Sequence, residues 1–121
     1  MILGFIGISK NSSSVIKGIL NSKIKYKRII LSPRNKKISK YLKNKFKKIE
    51  IAKSNQDVIN RSNWIFLAVT PLVGNKIIKE LKFKKSQKVI SFISTITLLQ
   101  LKKFIKVKAN IVRAIPLPPI T

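Results

Sequence analysis

A glycine and several small polar residues end the first apolar run of the chain. Residues 2–8 are continuously apolar, and the segment that ends this run reads Gly7-Ile8-Ser9-Lys10-Asn11-Ser12. In a full G-x-G-x-x-G fingerprint, the first glycine makes a tight turn and the second lets the backbone approach a pyrophosphate. Here Ser9 and Ser12 replace the second and third glycines, so the pattern alone fits a phosphate-binding loop and a plain tight turn equally well. A helix that starts here presents free N–H groups to an anion in either case.

A second polar segment, Ser32-Pro33-Arg34-Asn35, directly follows the apolar run 28–31. Enzymes that use NAD usually place an acidic residue near this point to accept the ribose hydroxyls, but this chain has no acid before Glu50. A ribose 2′-phosphate needs the opposite chemistry: a guanidinium such as Arg34, with Ser32 and Asn35 as hydrogen-bonding groups. We interpret the segment as a 2′-phosphate site rather than a turn with a chance arginine, because it follows the second predicted strand directly.

A third segment, Ala68-Val69-Thr70-Pro71, ends the apolar run that begins at Trp64. Its small residues would let a nucleotide lie close to the sheet. Without the other two segments it would be interpreted as an ordinary loop that ends a strand. Together, the three segments predict a dinucleotide site.

The residue types that are absent exclude several kinds of chemistry. The chain has no His and no Cys, which excludes imidazole and thiol catalysis, zinc clusters and disulfides. Only Glu50, Asp57 and Glu80 are acidic, so a self-contained hydrolase or metalloenzyme is close to excluded. We predict no metal site and identify no catalytic residue.

The formal net charge of +24 has two readings. A strongly basic protein suits a polyanion such as nucleic acid, and residues 23–48 hold 12 basic residues and no acid. However, Lys supplies 23 of the 27 basic residues and Ile occurs 22 times, as expected of a chain encoded in A/T-rich DNA. We favour compositional drift and keep a basic nucleic-acid-binding module as the alternative. The inward orientation predicted for Tyr41 and Phe46 on the second helix argues against that module, because inward-facing rings would not stack on bases.

Six apolar runs alternate with five segments of helical periodicity. The predicted strands are 2–8, 28–31, 49–52, 64–69, 88–93 and 110–115, and the predicted helices are 12–22, 36–46, 55–62, 73–81 and 97–105. Strict alternation implies right-handed parallel crossovers. We therefore predict an α/β, doubly wound, Rossmann-type parallel sheet in the order 3-2-1-4-5-6, with helices on both faces. One NAD(P)-binding domain would span residues 1–121.

The chain has no segment typical of export or membrane insertion. Its N-terminal apolar run is short and lacks a basic start, unlike a signal peptide. No stretch reaches the roughly 18 apolar residues that a membrane-spanning helix needs. We expect a cytoplasmic protein with no membrane partner.

Five stretches, taken in order, resemble the N-terminal domain of pyrroline-5-carboxylate reductases. They are GFIG, SPRN, SNQDVINRSNWIFLAVTP, KVISFIS and VRAIPLPP. The resemblance implies transfer of a hydride from NAD(P)H to a cyclic imine, 1-pyrroline-5-carboxylate, in proline biosynthesis. It implies a cofactor site made of Gly7, Ile8, Ser9, Lys10 and Asn11 at the pyrophosphate, Ser32, Arg34 and Asn35 at the 2′-phosphate, Asn55 at the adenosine, and Ala68, Val69, Thr70 and Pro71 towards the nicotinamide. NADPH would be preferred over NADH.

The chain departs from this family's pattern in several ways, two of which bear on the nicotinamide and the imine. Ile93 aligns with a run of small residues after the fifth strand, and its bulk is expected to intrude where the nicotinamide lies. The family also continues into a helical C-terminal domain that builds the dimer and completes the pocket for the imine. We therefore expect a homo-oligomer or a missing domain, and weak or no turnover from residues 1–121 alone.

Overall fold

The structure is a computed structural model that describes residues 1–7, 10–33, 36–93 and 95–114, without the side chains of residues 10, 11 and 36. The strands are β1 (Ile2–Ile6), β2 (Arg28–Leu31), β3 (Ile49–Ile51), β4 (Trp64–Leu67), β5 (Lys88–Ser91) and β6 (Asn110–Arg113). The helices are α1 (Lys10–Leu20), α2 (Lys36–Lys45), α3 (Asn55–Arg61), α4 (Pro71–Ile77) and α5 (Leu98–Ile105), and a 3-10 turn at Ile78–Glu80 extends α4.

The six strands form one parallel sheet in the order β3-β2-β1-β4-β5-β6. This confirms the predicted doubly wound Rossmann-type arrangement. The order reverses between β1 and β4, which lie side by side at the centre with Gly4 opposite Ile65. In such a sheet the loops at the carboxyl ends of the strands meet beside this reversal.

Two apolar layers hold the helices on opposite faces of the sheet. On one face, α1 and α2 bury side chains such as Ile16 and Leu42 against Phe5. On the other, α3 and α5 bury Val58 and Leu101 in a second cluster. Because both faces are covered at the centre, the central strands are apolar in sequence without alternation, as buried parallel strands are.

The elements differ from their predicted bounds mainly at the loops of the sheet's carboxyl edge. β1 ends at Ile6 and β4 at Leu67, each two residues before the predicted end. The helix predicted from residue 73 begins at Pro71 instead. Proline suits the first helical position because its fixed φ matches the helix and its missing N–H has no partner to lose there.

The inward-facing prediction for Tyr41 is wrong. Its side chain is 50% exposed, whereas the neighbouring Leu42 is fully buried. Ser39 and Leu42 lie three residues apart and form the stripe of α2 that faces the sheet. Tyr41 is therefore turned to the outer surface, where the amines of Lys17 and Lys45 flank its ring.

Candidate functional site

The candidate site lies at the carboxyl edge of the sheet, beside the point where the strand order reverses. Gly7 follows β1, Ser32 follows β2, and Ala68 follows β4. The structure brings these three loops into direct contact. Asn55 begins α3, which follows the neighbouring strand β3.

A buried hydrogen bond joins the first two loops. The backbone N–H of Gly7 donates to Oγ of Ser32 at 2.9 Å, and both residues are buried. The Ser32 N–H in turn donates to the Phe5 carbonyl at 3.0 Å. Ser32 was predicted from its type to face a phosphate. The structure places its fully buried hydroxyl between the loops, where it fixes the position of one relative to the other.

Gly7 has a backbone conformation and surroundings that only glycine accommodates. Its φ is +82°, a left-handed value that a side chain makes costly. A Cβ built there would lie 2.5 Å from Cγ1 of Val69, 2.9 Å from the Val69 nitrogen and 3.0 Å from the Ala68 carbonyl carbon. The β1 loop and the β4 loop are therefore in backbone contact at this glycine.

Asn55 carries an unsatisfied buried acceptor. It is the first residue of α3, held by the N-cap Ser54, whose hydroxyl accepts a hydrogen bond from the Asp57 N–H at 3.1 Å. The Oδ1 atom of Asn55 is buried and has no hydrogen-bond partner. An unsatisfied buried polar atom costs about 1–3 kcal/mol and is rare in native proteins. An unpaired acceptor at this edge is therefore suited to a donor group of a ligand.

The N-cap at Ser54 was not among the features predicted from the sequence, although the sequence contains the pattern of such a cap. Residues 54–57 read Ser-Asn-Gln-Asp, the pattern of a small hydroxyl residue followed three positions later by an acid that marks a helix start. This cap orients the first turn of α3 and, with it, Asn55.

The β4 loop supplies apolar and small groups. Ala68 and Val69 are half-buried, and Thr70 is exposed and makes no side-chain capping bond to α4, which Pro71 begins. The predicted intrusion of Ile93 on this edge is not observed. Ile93 is 2% exposed and belongs to the core on the α3–α5 face. Its Cδ1 lies 3.0 Å from the point where a Cβ on Gly74 would stand, so Ile93 packs beneath α4.

Several predicted site residues lie outside the described residues. These are Ile8, Ser9, Arg34 and Asn35. Lys10 and Asn11 form the start of α1, although their side chains are not described. The 11-residue α1 thus begins at the candidate site, with its first-turn N–H groups unpaired within the helix.

The acids of β3 and α3 are engaged in ion pairs. The Glu50 carboxylate contacts Arg28 and Arg61, and the Asp57 carboxylate lies 3.6 Å from Arg61. The hydrogen bond from Arg61 and the nearby positive charges hold the pKa of Glu50 below its usual 4.5. Glu50 is therefore ionised at neutral pH and is not a proton donor.

Two kinds of feature are absent from the described part of the chain. Within it, no group of three or more acidic, His or Cys side chains is placed to hold a metal ion. None of its helices combines the length and the apolar character needed to cross a membrane.

Comparison with known proteins agrees with the resemblance read from the sequence. The model of a family described as "NADP oxidoreductase coenzyme F420-dependent" matches residues 2–96. Pyrroline-5-carboxylate reductase 3 of Danio rerio is 29% identical over an alignment of 118 residues that covers 94% of this chain and 40% of that protein.

Solved structures give the same result. A 1-pyrroline-5-carboxylate reductase from Streptococcus pyogenes superposes with a TM-score of 0.71 at 27% identity, over 87% of this chain and 38% of the other. A pyrroline carboxylate reductase of Plasmodium falciparum with NADP bound gives a TM-score of 0.78 at 23% identity, over 96% and 42% of the two chains. At that identity, the second match bears on the fold alone.

The chain therefore spans about two fifths of the length of these relatives. The predicted resemblance to pyrroline-5-carboxylate reductases is confirmed. Because the family model covers most of the sequence, from residue 2 to residue 96, the chain belongs to the NADP oxidoreductase family described as coenzyme F420-dependent.

Proposed function

We propose that this chain is the NADP(H)-binding domain of a reductase similar to pyrroline-5-carboxylate reductases. The observation that carries the proposal is the buried, unpaired Oδ1 of Asn55, at the same edge of the sheet as the Gly7 turn. A ribose hydroxyl or an adenine amino group is the kind of donor that would satisfy it.

The residues at this edge fit a nicotinamide dinucleotide. The absence of a side chain on Gly7 lets the β1 loop turn tightly and pack directly on the β4 loop, which is the role of the first glycine in the dinucleotide fingerprint. The start of α1 offers N–H groups to the pyrophosphate, and Ile8, Ser9, Lys10 and Asn11 would line the pyrophosphate. Ala68, Val69, Thr70 and Pro71 would line the path towards the nicotinamide. When bound, the cofactor supplies the hydride.

We propose that NADPH is preferred over NADH because of the segment after β2. Arg34 would form charge-assisted hydrogen bonds with the 2′-phosphate, and Asn35 would add a further hydrogen bond. The Ser32 hydroxyl already accepts the Gly7 N–H, so its contribution is to position this segment against the glycine loop. No acid precedes Glu50 in the sequence to repel the phosphate.

Titration with NADPH and NADH at several salt concentrations tests this assignment. We expect NADPH to bind at least about tenfold more tightly than NADH, and Arg34→Ala to remove most of that preference, since a charged hydrogen bond contributes about 1.5–3 kcal/mol. Lys37→Ala is the matched control, because it removes one exposed charge from the start of α2. Equal affinities of the wild type for the two cofactors would refute the 2′-phosphate assignment.

The substrate proposed is a small cyclic imine such as 1-pyrroline-5-carboxylate, reduced in proline biosynthesis in the cytoplasm. This step rests on the resemblance, as does the expectation that the protein works as a homo-oligomer or with a further domain. Hydride transfer requires the imine to be held against the nicotinamide. Glu50 would not donate a proton to the imine, because its carboxylate is ionised and paired with arginines.

We expect the 121-residue chain to bind NADPH yet turn over 1-pyrroline-5-carboxylate weakly or not at all. The measurement is the loss of NADPH absorbance with and without the imine, at saturating cofactor. Robust turnover would show that these residues complete the imine site themselves. Failure to bind NADPH at all would instead contradict the cofactor assignment.

A further inference from the structure

The outer surface of α1 and α2 carries an exposed aromatic ring close to two lysines. Nζ of Lys17 lies 5.6 Å and Nζ of Lys45 lies 5.5 Å from the centre of the half-exposed Tyr41 ring. Lys45 also donates a hydrogen bond of 3.2 Å to the Tyr41 hydroxyl and lies 5.7 Å from the ring of Phe46. We call Lys17, Tyr41, Lys45 and Phe46 the lysine–aromatic surface.

A second lysine–aromatic pair lies on the same face of the sheet. Nζ of Lys48 is 5.0 Å from the centre of the half-buried Tyr26 ring. Tyr26 and Phe46 both pack on the apolar cluster beneath α1 and α2. Amines and aromatic rings are therefore interleaved here, which the inward prediction for Tyr41 had excluded.

The charge around this surface is not balanced by acids. Residues 1–49 contain no Asp or Glu, and residues 23–48 contain 12 basic residues. The nearest acid in sequence, Glu50, is paired with Arg28 and Arg61. The other two acids lie on α3 and on the 3-10 turn that extends α4. A polyanion would therefore meet a positive potential with little local repulsion.

The surface is separate from the candidate cofactor site. Both helices begin at the carboxyl edge of the sheet and run back towards its amino edge. Lys17 and Lys45 lie in the last turns of α1 and α2, whereas Gly7 lies before the first turn of α1. The two lysines and the glycine turn therefore lie towards opposite ends of these helices.

We propose that the lysine–aromatic surface binds single-stranded nucleic acid. Its lysines would contact successive phosphates while the Tyr41 ring stacks on an unpaired base, a combination typical of sequence-tolerant single-strand binding. The whole chain has only four arginines, the residues that read base edges best, so little sequence preference is expected. This role goes beyond the proposed cofactor function and does not depend on it.

The composition of the surface favours nucleic acid over an anionic membrane. A helix that lies in a membrane interface presents a row of apolar side chains to the lipid. Among the described side chains of α1 and α2, Tyr41 is the one large hydrophobic residue that is well exposed. A single exposed ring would bury little area in lipid, whereas one ring beside amines is enough to stack on one base.

Fluorescence anisotropy with the full chain and a labelled oligothymidylate about 12 nucleotides long tests the proposal. We expect Tyr41→Ala to weaken binding about fivefold or more, the effect of losing one stacked base, and Tyr41→Phe to stay within about twofold because the ring remains. NADPH affinity should be unchanged in both variants.

Two double variants that remove the same charge distinguish binding at this surface from non-specific attraction to the basic chain. Lys17→Ala with Lys45→Ala should weaken oligothymidylate binding clearly more than Lys102→Ala with Lys103→Ala, which removes the same charge from exposed positions of α5. Equal losses in the two double variants, or equal affinity for inorganic polyphosphate and oligothymidylate, would overturn the proposal. Tighter binding to phosphatidylserine vesicles that displaces the oligonucleotide would overturn it in favour of a membrane.

Discussion

Gly7→Ala is expected to weaken NADPH binding by about tenfold to a hundredfold and to destabilise the chain by about 1–3 kcal/mol. The added Cβ would lie 2.5 Å from a Val69 methyl and within 3.0 Å of backbone atoms of Val69 and Ala68. It would also have to adopt a φ of +82°. The β1 and β4 loops must therefore move apart, which displaces the proposed pyrophosphate loop and the proposed path towards the nicotinamide and weakens the hydrogen bond from the Gly7 N–H to Ser32.

Isothermal titration with NADPH and urea unfolding measure the two effects separately. Gly18→Ala is the matched control, since Gly18 is an exposed residue of α1 whose added Cβ would meet nothing within 4 Å. That variant should gain about 0.5–1 kcal/mol from its better helix propensity and keep the NADPH affinity of the wild type. Wild-type NADPH affinity in Gly7→Ala would show that the cofactor does not approach this turn.

Asn55→Leu is expected to change stability and cofactor affinity in opposite directions. In the free chain, the buried Asn55 Oδ1 has no partner, so its removal should leave the free energy of unfolding unchanged or raise it by about 1 kcal/mol. NADPH affinity should fall about tenfold or more, because the donor of the bound ligand would lose its acceptor. A residue with a purely structural role would not give this combination.

Urea unfolding in the absence of cofactor and NADPH titration give the two quantities. Asn60→Leu is the control on the same helix, because Asn60 is exposed and its Oδ1 accepts a hydrogen bond from the Gln56 side chain at 2.9 Å. It should leave NADPH affinity unchanged. If Asn55→Leu instead destabilised the free chain and left NADPH affinity intact, Asn55 would be a structural residue and the adenosine contact would be wrong.

The strand order could be read from the sequence because it depends on local patterns that repeat along the chain. Each apolar run is short and bounded by polar residues, and helical spacing lies between every two runs. Chain chirality then permits one handedness for each crossover, which leads to the order that the structure shows. The predicted bounds were less accurate at the carboxyl edge, where apolar loop residues such as Ala68 and Val69 resemble a continuing strand.

The orientation of α2 shows where a local pattern is insufficient. Ile38, Tyr41 and Leu42 have helical spacing, so the sequence alone does not separate a stripe through Ser39 and Leu42 from one that includes Tyr41. Packing on the sheet selects the first, with Leu42 fully buried and Tyr41 half exposed. This choice exposes the ring on which the nucleic-acid proposal depends.

The sequence by itself determined the alternating parallel architecture, the exclusion of thiol and imidazole chemistry, and the position of the three loop segments at strand ends. Only the tertiary structure decided that Ser32 is a buried link to Gly7 rather than an exposed ligand, that Ile93 packs in the core, and that the Asn55 oxygen lacks a partner. The physical reason is that hydrogen bonds and burial at these residues depend on atoms brought together from distant parts of the chain. Periodicity specifies which face a residue prefers, whereas the surrounding loops decide which polar atoms find partners.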